Sequence, residues 1–569
     1  MPSFKSLRFL CAPLLLLASS ALGQAVPELA PDSDHPPLYD PEPLRPTRGV
    51  LSATLRLGYS KQTIGKQTVE LRTYNGKAFG PTFWVAPGDT IKVRLINDLP
   101  CPTGKVCKPT PIPCLTGKEE HTLHAHFETL AGSPDPKGFN TTNLHTHGLH
   151  VSPNCSSDNV LLNLDPGGHG FHFEFKIPKN HPSGTFWYHA HVHGSTAIQV
   201  SSGVEGALIV SKPGGFDDVP GIKGARSRML LFQQVPYKCN FANAKDWSCK
   251  PGEVGKVEDF GQQFGPNAWK DSGRYTTING QLQPTIDMRP GEVQRWRLIH
   301  GGVRETIMAA VGKKNGDDFI VEKGWLHEIA LDGLPTGTVT ERDRIELEPG
   351  YRVDVMAKAP MTPGKYYLID EPSAPLLVPF DVTPEAALNA APEPRKVLAI
   401  IEVGDKPPCT DPRSPCHRSL PDPAKLKPFR LPDITAREVA GREPQKVEFD
   451  IAGNPLKFMI CGKDFDPKMP PRKLEFGKAD TWLISSKRAN HPFHIHVNPF
   501  QVKDETGQWT WKDTLLIKPG TTYEVRTRYE TFRGDFVLHC HILDHEDEGM
   551  MELVQIAPGP QPVKACPQP

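Results

Sequence analysis

Gly534-Asp-Phe-Val-Leu-His-Cys-His-Ile-Leu-Asp-His545 is the stretch that decides the fold and the chemistry of this chain. Its aromatic and aliphatic residues after a glycine are typical of a β-strand, in which successive side chains point to opposite faces. His539 and His541 then face one way, and Cys540 faces the other. Because imidazole and thiolate both bind metals, two metal sites can lie back to back on this strand. The cysteine of one site is joined covalently to the histidines of the other, which suggests an electron relay.

The same pattern occurs earlier in the chain. Gly184-Thr-Phe-Trp-Tyr-His-Ala-His191 repeats the order of glycine, aromatic residues and paired histidines, and Gly364-Lys-Tyr-Tyr-Leu368 matches its beginning. The first copy carries Ala190 where the last carries Cys540, and the middle copy has neither histidines nor cysteine. We therefore predict that one domain holds a thiolate site, while the outer two domains share a histidine site between them.

A second repeated segment also predicts three related domains. Ala86-Pro-Gly-Asp-Thr-Ile-Lys-Val-Arg-Leu-Ile-Asn97 resembles Arg289-Pro-Gly-Glu-Val-Gln-Arg-Trp-Arg-Leu-Ile-His300, and Thr481-Trp-Leu-Ile-Ser485 is a weaker copy. Short apolar runs bounded by Pro-Gly turns recur along the chain, and no long helical pattern competes with them. The sequence thus predicts an all-β protein of three β-sandwich domains. The predicted divisions are a signal peptide at 1–23, domains at 45–215, 225–405 and 441–560, and a Pro-rich linker at 406–440.

Composition narrows the range of functions. At 569 residues the chain is too long for one ordinary core. Lysine plus arginine and aspartate plus glutamate number 65 each, so charge gives no reason to expect nucleic acid or an anionic membrane as a partner. The 60 prolines and 49 glycines indicate many turns, and within the Pro-rich part from Glu371 to Pro444 one strand-like run stands out, Lys396 to Val403. A loop-rich β protein is favoured.

The first residues have the features of a secretory signal peptide. Lys5 and Arg8 precede an apolar run from Phe9 to Leu17, and small residues follow to about Gly23. The run is too short to anchor the chain in a bilayer, and no later apolar stretch is long enough to do so. We therefore expect the protein in the periplasm or outside the cell, where disulfides persist.

Cysteine usage agrees with export. Of 12 cysteines, Cys11 lies in the signal peptide and Cys540 lies in the histidine segment. The other ten are Cys101, Cys107, Cys114, Cys155, Cys239, Cys249, Cys409, Cys416, Cys461 and Cys566. An even number in an exported chain is most simply a set of disulfides, and Cys239 with Cys249 and Cys409 with Cys416 are close enough to pair locally.

Three further histidine clusters accompany the opening stretch. The four clusters are His145-Thr-His147-Gly148, Trp187-Tyr-His189-Ala-His191, His491-Pro-Phe-His494-Ile-His496, and the segment from His539 to Met550. In a strand, each His-X-His pair puts two imidazoles on one face, where they can converge on metal ions. One such pair is weak evidence, but four clusters with a central cysteine predict metal binding.

The ligand types select the metal. Two histidines, one cysteine and a weak axial methionine form the blue-copper type of electron-transfer site. His491, Cys540, His545 and Met550 supply these ligands. A structural zinc site is the competing interpretation, but zinc needs neither an axial methionine nor a second cluster made of histidines alone.

The four clusters, in this order and with these spacings, resemble those of the multicopper oxidases, specifically the three-domain laccase-like group. Further stretches that carry the resemblance are Asn143-Leu-His-Thr-His-Gly-Leu-His-Val151, Gly203-Val-Glu-Gly-Ala-Leu-Ile-Val210 and Trp511-Lys-Asp-Thr514. The resemblance extends over nearly the whole chain after the signal peptide. It implies three cupredoxin-like Greek-key β-sandwich domains in tandem.

The resemblance also implies a complete set of ligands for four coppers per chain. His491, Cys540 and His545 would bind the type 1 copper, with Met550 axial. His145 and His494 would bind the type 2 copper. The paired type 3 coppers would take His147, His189, His191, His496, His539 and His541.

Two acids match the family's proton-relay positions. A small reducing substrate would give single electrons to the type 1 copper, and dioxygen would be reduced to water at the three-copper cluster. This reaction needs protons inside the protein, and Asp158 and Glu546 are the candidates for supplying them. The alternative for each acid is that it only orients a histidine.

Several residues near the clusters are expected to play other roles. His121-Thr-Leu-His124-Ala-His126 is predicted to be a solvated loop, and His193 to serve packing or a supporting contact. Met551 is the rival to Met550, and Val497 stands where many relatives carry glycine. Histidines without a partner cluster are predicted to be ordinary surface or core residues, namely His150, His169, His172 and His181.

These observations predict a secreted copper oxidase that acts on phenols or aromatic amines. An oxidase of cuprous, ferrous or manganous ions with the same copper sites is the first alternative, although the chain has only 10 methionines and no methionine-rich insert. A copper-binding or electron-transfer protein without oxygen reduction is the second, and a copper nitrite reductase is the third. The expected partners are dioxygen and a small reductant, without nucleic acid or a membrane anchor, and the chain is expected to be a monomer.

Overall fold

The computed structural model describes most of the chain between residues 35 and 559. The residues outside the description are 1–34, 41, 102–106, 108–138, 265–267, 273, 275, 373–395, 405, 410–415, 417–418, 428–430, 505–506 and 560–569. The predicted signal peptide and the histidines from His121 to His126 lie outside the described residues. Within them the chain folds into strands joined by turns, which confirms the all-β prediction.

The first unit consists of two facing sheets. Its strands are β1 (Val50–Ile64), β2 (Gln67–Tyr74), β3 (Gly80–Val85), β4 (Thr90–Asn97), β5 (His145–His147), β6 (His169–Lys176), β7 (Gly184–His189) and β8 (Glu205–Val210). One sheet has the order β2-β1-β4-β6, and the other has the order β3-β8-β7-β5. Strand β6 illustrates the alternation, because Phe171, Phe173 and Phe175 point into the core while the residues between them face outward.

The middle unit contains no predicted metal ligand. Its strands are β9 (Arg226–Gln234), β10 (Gly255–Lys256), β11 (Thr276–Ile278), β12 (Gln281–Leu282), β13 (Thr285–Met288), β14 (Val293–His300), β15 (Ile307–Asn315), β16 (Asp318–Val321), β17 (Leu326–Leu331), β18 (Leu334–Arg342), β19 (Ile345–Leu347), β20 (Arg352–Lys358), β21 (Gly364–Asp370) and β22 (Lys396–Val403). The strand-like run expected at Lys396 to Val403 is confirmed as β22. Strand β10 joins the first unit by pairing with β2.

The third unit again has two sheets. Its strands are β23 (Gln445–Ala452), β24 (Lys457–Ile460), β25 (Arg472–Glu475), β26 (Ala479–Ser486), β27 (His491–Ile495), β28 (Phe500–Lys503), β29 (Trp509–Lys512), β30 (Thr514–Ile517), β31 (Thr522–Arg528), β32 (Gly534–Cys540) and β33 (Met551–Ala557). The sheet orders are β24-β23-β26-β31-β28-β29 and β25-β33-β32-β27-β30.

The strands that repeat in sequence hold the same place in each unit. Strands β4, β14 and β26 each lie between one parallel and one antiparallel neighbour. Strands β7, β21 and β32 each lie between two antiparallel neighbours. The predicted equivalence of these strands is confirmed, while the exact domain limits stay a prediction.

Each unit is held together by an apolar core between its two sheets. Phe83 and Val93 lie in the first core, Trp296 in the middle core, and Trp482 in the third core. A fully buried side chain of this kind contributes about 1.5–3 kcal/mol relative to its exposure to water. Cys540 belongs to the third core, so its thiol lies in apolar surroundings.

The helices that the structure describes are short. They are α1 (Thr196–Ser201), α2 (Phe260–Gln263), α3 (Ala268–Ser272), α4 (Ala436–Val439) and α5 (Leu543–Asp547), with 3-10 turns at Phe216–Asp218 and Pro423–Lys425. A helix long and apolar enough to cross a membrane is not found among the described residues. Helices α1 and α5 flank the histidine clusters, and Asp547 accepts hydrogen bonds from the backbone at the start of α1.

The disulfides confirm both local pairs expected from the sequence. Cys239 is bonded to Cys249 and Cys409 to Cys416, and a third bond joins Cys101 and Cys107. Cys155 and Cys461 also take part in disulfides, whereas Cys114 and Cys566 lie outside the described residues. Among the described cysteines, Cys540 is the free thiol.

Candidate metal centre

The cysteine site forms where two neighbouring strands and a short helix meet. Cys540 ends β32, His491 begins β27 and His545 lies in α5. The Cys540 Sγ lies 3.4 Å from His491 Nδ1 and 3.8 Å from His545 Nδ1. All three side chains are buried, and these donor atoms converge closely enough to share one metal ion.

Met550 lies on the same side as Cys540. The Cys540 backbone N–H donates to the Met550 carbonyl at 3.0 Å, and the Met550 N–H donates to the His545 carbonyl at 2.8 Å. Met550 is fully buried in the core that contains Cys540. Met551 packs instead in a separate cluster with Val160 and neighbouring apolar residues. The structure thus places the two methionines in different apolar clusters, whereas the sequence distinguishes them only by their spacing from Cys540.

The eight other cluster histidines come together between the first and third units. They are His145, His147, His189, His191, His494, His496, His539 and His541, and all are buried. His539 Nε2 lies 3.1 Å from His191 Nε2 and 3.2 Å from His496 Nε2. His541 Nε2 lies 3.2 Å from His147 Nδ1. Ring nitrogens of histidines from the first and third units therefore converge closely enough to share metal ions.

The outer nitrogens of four of these rings have fixed hydrogen-bond partners. The contacts are His145 Nδ1 to the Asp158 carboxylate at 3.1 Å, His189 Nδ1 to the Ala190 carbonyl at 2.9 Å, His494 Nδ1 to the Asp513 carbonyl at 2.7 Å, and His539 Nδ1 to the Cys540 carbonyl at 2.9 Å. A neutral imidazole that donates through Nδ1 carries a lone pair on Nε2. The Nε2 atoms of His145, His189 and His494 have no hydrogen-bond partner within the described part of the chain. These lone pairs point inward.

The electrostatics of the cluster call for a cation. Burial lowers the pKa of His189 to about 3 and that of His494 to about 4, and it lowers the pKa of His539 well below its usual value. The rings are therefore neutral at pH 7, and their nitrogens, 3.1–3.2 Å apart, lie close enough to bind one cation together. Imidazole nitrogens together with one thiolate are a donor set suited to copper. The residues fit the metal that the sequence predicts.

Two carboxyl groups touch this cluster from outside. Asp158 lies against His145 and also accepts the Thr146 backbone N–H at 2.8 Å. Glu546 lies with its Oε1 3.7 Å from His191 Nδ1. Burial raises the pKa of Asp158 to about 7 and raises that of Glu546 well above its usual value. Each predicted acid thus lies behind a predicted ligand.

Asp513 is a residue that the sequence reasoning missed. Its Oδ1 lies 3.3 Å from His147 Nε2, and its backbone carbonyl accepts from His494 Nδ1. Thr514 Oγ1 donates to the same carboxylate at 2.9 Å. The stretch from Trp511 to Thr514 carries the family resemblance, but one aspartate after a strand has no spacing that would reveal its role.

A cavity leads toward Asp513 from the surface between the units. It has a volume of about 240 Å³, and its lining includes Phe186, Trp511, Asn498 and Asp513. The Asn498 amide is buried without a protein hydrogen-bond partner among the described residues. The cavity therefore reaches Asp513, the residue that contacts His147 and His494, and the described residues that line it include no predicted ligand.

Other histidines do not join the cluster. The His193 ring packs edge-on against Phe465 at 4.9 Å, as expected for a packing role. His150 Nδ1 donates to the Val497 carbonyl at 2.7 Å, and its own backbone N–H donates to His181. Val497 has a φ of 67°, the left-handed conformation that glycine adopts more readily. The departure from glycine noted in the sequence thus falls at a turn that holds its carbonyl toward His150.

Comparison with known proteins gives a consistent result. Three sequence models, each described as multicopper oxidase, match residues 139–215, 241–388 and 438–560, which together make up more than half of the chain. The laccase of Bacillus subtilis (strain 168) is 23% identical over 528 residues, which cover 85% of this chain and 89% of that protein. The multicopper oxidase mco of Staphylococcus aureus is 21% identical, with 90% of each chain covered.

Solved structures share the fold. A laccase from Pediococcus acidilactici superimposes with a TM-score of 0.64 at 21% identity, covering 93% of this chain and 95% of that one. A multicopper oxidase from Campylobacter jejuni, described as a metallo-oxidase, superimposes with a TM-score of 0.62 at 19% identity, covering 93% and 99%. With the family models matching all three units and the donor atoms fitting copper, the chain belongs to the multicopper oxidases, a family of copper-binding oxidoreductases.

Proposed function

We propose that this protein is a laccase-like oxidase that takes single electrons from phenols or aromatic amines and reduces dioxygen to water. The observation that carries the proposal is the run His539-Cys540-His541, whose middle residue lies in the cysteine site and whose flanking residues lie in the histidine cluster. One dioxygen needs four electrons and four protons to become two waters. A strand that joins an electron-accepting site to a multi-metal site can deliver these electrons one after another.

The proposed copper ligands follow the sequence assignment. His491, Cys540, His545 and Met550 would hold type 1 copper, and His145 and His494 would hold type 2 copper. His147, His189, His191, His496, His539 and His541 would hold the type 3 pair, giving four coppers per chain. Copper, when bound, supplies reversible one-electron storage and the chemistry of dioxygen reduction. The inward lone pairs of the histidines and the close approach of Cys540 to two rings support this assignment.

The chain offers a short electron path between the two sites. Cys540 is bonded through the backbone to both flanking histidines, and the His539 Nδ1–H donates to the Cys540 carbonyl at 2.9 Å. This hydrogen bond gives a second connection beside the covalent one. It also fixes the His539 ring with Nε2 directed inward.

Protons must reach the same buried region. We propose that Asp158 holds a proton beside His145, and that Glu546 does so beside His191. The Asp158 carboxylate lies 3.1 Å from His145 Nδ1 and Glu546 Oε1 lies 3.7 Å from His191 Nδ1, so each acid is placed at the edge of the cluster, from which water could carry its proton inward. The same contacts suit an orienting role, so the test must separate oxygen reduction from the earlier electron transfer.

Asp158→Asn is expected to slow reoxidation by dioxygen about 10- to 100-fold and to leave anaerobic reduction of the type 1 copper unchanged. Asparagine keeps the shape and can still accept from His145, but it cannot release a proton. Stopped-flow absorbance of the blue colour measures both half-reactions. Equal slowing of the two would show that Asp158 serves something other than protons.

The rings of the cysteine-site histidines pack against buried phenylalanines of the third core. The Phe458 ring lies 4.7 Å from the His545 ring, and the Phe449 ring lies 5.2 Å from the His491 ring. Both histidines are buried. Because these phenylalanines belong to the core, the proposed preference for phenols or aromatic amines rests on the similarity to laccases.

A metal-ion oxidase is the second candidate, because carboxylates lie close by. Asp464 packs against Gly549, the residue before Met550, and Asp466 follows two positions later. The Asp464 carboxylate pairs with Lys457 at 3.1 Å, which offsets part of its charge. The pair lies at the surface, where it contributes little, so the substrate panel decides between the two functions.

A substrate panel tests the proposed function. Oxygen uptake is measured with phenols, aromatic amines, and cuprous, ferrous and manganous ions, using wild type and an Asp464→Asn/Asp466→Asn variant. We expect turnover of the aromatic compounds at equal rates in both proteins. Turnover confined to metal ions and lost in the variant would establish the alternative, and a content of one copper per chain would refute the four-copper assignment.

Met550→Leu is expected to keep the blue colour and to raise the reduction potential of the type 1 copper. A thioether donates weakly to the cupric form, and removal of this donor destabilises that form relative to the cuprous form. Redox titration of the blue absorbance measures the change. Met551→Leu is the matched control and should leave the potential unaltered, so an equal shift in both variants would contradict the axial role.

We further propose export to the periplasm or the cell exterior, with a monomeric state. The disulfides of the described chain support export, because such bonds persist in oxidising compartments. The predicted signal peptide at 1–23 has the matching composition. Size-exclusion chromatography with light scattering checks the monomer.

A further inference from the structure

The middle unit, which carries none of the predicted ligands, touches the histidine cluster just before β20. Gly350 has a φ of 88°, and a Cβ there would stand 3.0 Å from the His541 ring. A side chain at this position would crowd the His541 ring. Two residues further on, Arg352 enters the space between the three units.

Arg352 is a buried guanidinium whose hydrogen bonds reach all three units. Its two outer nitrogens form a bidentate pair with the Asp513 carboxylate of the third unit, at 2.7 and 2.5 Å. Its Nε donates to the Thr185 carbonyl of the first unit at 3.3 Å. Its remaining contacts are with the carbonyls of Gly350 and Asp332 in the middle unit, at 2.9 and 3.0 Å. A planar fork of this kind fixes the orientation of a carboxylate.

Asp513, held by Arg352, in turn contacts two predicted ligands, His147 through its carboxylate and His494 through its backbone carbonyl. Asp513 Oδ1 lies 3.3 Å from His147 Nε2, and the Asp513 carbonyl accepts from His494 Nδ1 at 2.7 Å. His147 differs from His145, His189, His494 and His539, whose Nδ1 atoms point outward. A proton held on His147 Nε2 leaves its lone pair on Nδ1, the atom that faces His541.

We propose that Arg352 is a positioning residue by which the copper-free middle unit sets the metal cluster: it holds Asp513, and Asp513 fixes the tautomer of His147 and the rotation of His494. This inference rests on the proposed ligand assignment. Docking of the middle unit and completion of the histidine cluster are then one coupled event, because the same guanidinium joins all three units. The middle unit therefore acts on copper binding without supplying a ligand.

A purely structural role for Arg352 is the alternative, and the chain offers a matched control. Arg295 is also a buried arginine of the middle unit, and it pairs with Asp354 at 2.6 Å and with Asp217. Its ion pairs involve no predicted copper ligand. Arg295→Gln therefore removes a comparable buried ion pair away from the cluster.

The experiment compares copper retention in wild type, Arg352→Gln, Arg352→Lys, Asp513→Asn, Arg352→Gln/Asp513→Asn and Arg295→Gln. Each full-length protein is loaded with copper and dialysed against increasing chelator. The readouts are copper per chain, the electron paramagnetic resonance signal of the type 2 copper, and the blue absorbance. Thermal unfolding of the metal-free proteins gives the structural cost of each change.

Arg352→Gln and Asp513→Asn should release copper from the histidine cluster at about 10- to 100-fold lower chelator concentration while the blue absorbance persists. The double variant should be no worse than either single one, because both residues act through one chain of contacts. Arg352→Lys, which keeps the charge without the fork, should be intermediate, and it carries the test if Arg352→Gln does not fold. Arg295→Gln should lower the unfolding temperature and retain copper as wild type does.

The proposal is overturned if Arg352→Gln and Arg295→Gln retain copper equally while both lower the unfolding temperature. It is also overturned if Arg352→Lys and wild type have the same copper-release curve. A wild-type protein that binds only one copper would instead refute the ligand assignment. A result that refutes the ligand assignment can thus be distinguished from one that refutes the role of Arg352.

Discussion

Cys540→Ser is expected to abolish the blue colour of the copper-loaded protein and to lower oxidase turnover by more than about 100-fold, since even changes to residues behind a ligand cost about 10- to 100-fold. The Cys540 Sγ lies within 4 Å of ring nitrogens of His491 and His545, and it is the free thiol among the described cysteines. Serine has a similar size, but its hydroxyl is a hard donor that stays protonated. A blue-copper site depends on a cysteine thiolate ligand, which serine does not provide.

The spectrum, the copper content and the type 2 resonance signal together check this prediction. Burial raises the pKa of the Cys540 thiol, so the metal-free protein holds it protonated and only a bound cation favours the thiolate. We expect the variant to keep the copper of the histidine cluster, whose side chains face away from the serine. Retained blue colour would refute the thiolate assignment, and loss of all copper would refute the independence of the two faces.

The clusters could be predicted because their signals are local. Alternation along β32 places His539 and Cys540 on opposite faces, and the structure has this arrangement because strand geometry leaves no other. Repeated segments likewise predicted which strands occupy equivalent places in the three units. These features depend on residues that are neighbours in sequence, so the sequence of this chain alone predicts them.

The residues that contact the predicted ligands from behind could not be predicted in the same way. Arg352, Gly350 and Asp513 lie far apart in the chain and come together only when three units dock. A buried arginine in a strand looks in sequence like an exposed one. The pairing of Cys101 with Cys107 and the side taken by Met550 also needed the fold, because spacing alone left alternatives open.

Val497 shows where sequence and structure complement each other. The residue stood out as a departure from glycine, and its positive φ gives the physical reason why glycine suits this turn. The side chain packs in the third core, and that burial offsets part of the backbone strain. In this conformation the Val497 carbonyl accepts a hydrogen bond from His150 Nδ1 at 2.7 Å.

His539→Ala is the counterpart of the cysteine change, one position earlier on the same strand. We expect it to keep the blue colour and its anaerobic reduction by substrate, and to slow reoxidation by dioxygen by more than about 100-fold. His539 Nε2 lies 3.1 Å from His191 Nε2 and 3.2 Å from His496 Nε2, so its removal opens the centre of one group of three donors. It also removes the hydrogen bond to the Cys540 carbonyl.

His193→Ala is the matched control for this prediction, because it deletes the same ring from the same kind of histidine run. His193 packs against Phe465 and contacts the backbone rather than the carboxyl group of Glu546, so its loss should lower the unfolding temperature and leave copper content and most of the reoxidation rate unchanged. Rapid-mixing absorbance with and without dioxygen separates the two half-reactions, and copper analysis gives the metal content. Normal reoxidation in His539→Ala, or an equal defect in His193→Ala, would contradict the assignment of His539. Loss of the blue colour in Cys540→Ser, together with slow reoxidation and retained colour in His539→Ala, would show that one strand serves two metal sites. Damage to a single site would change the colour in the same way in both variants.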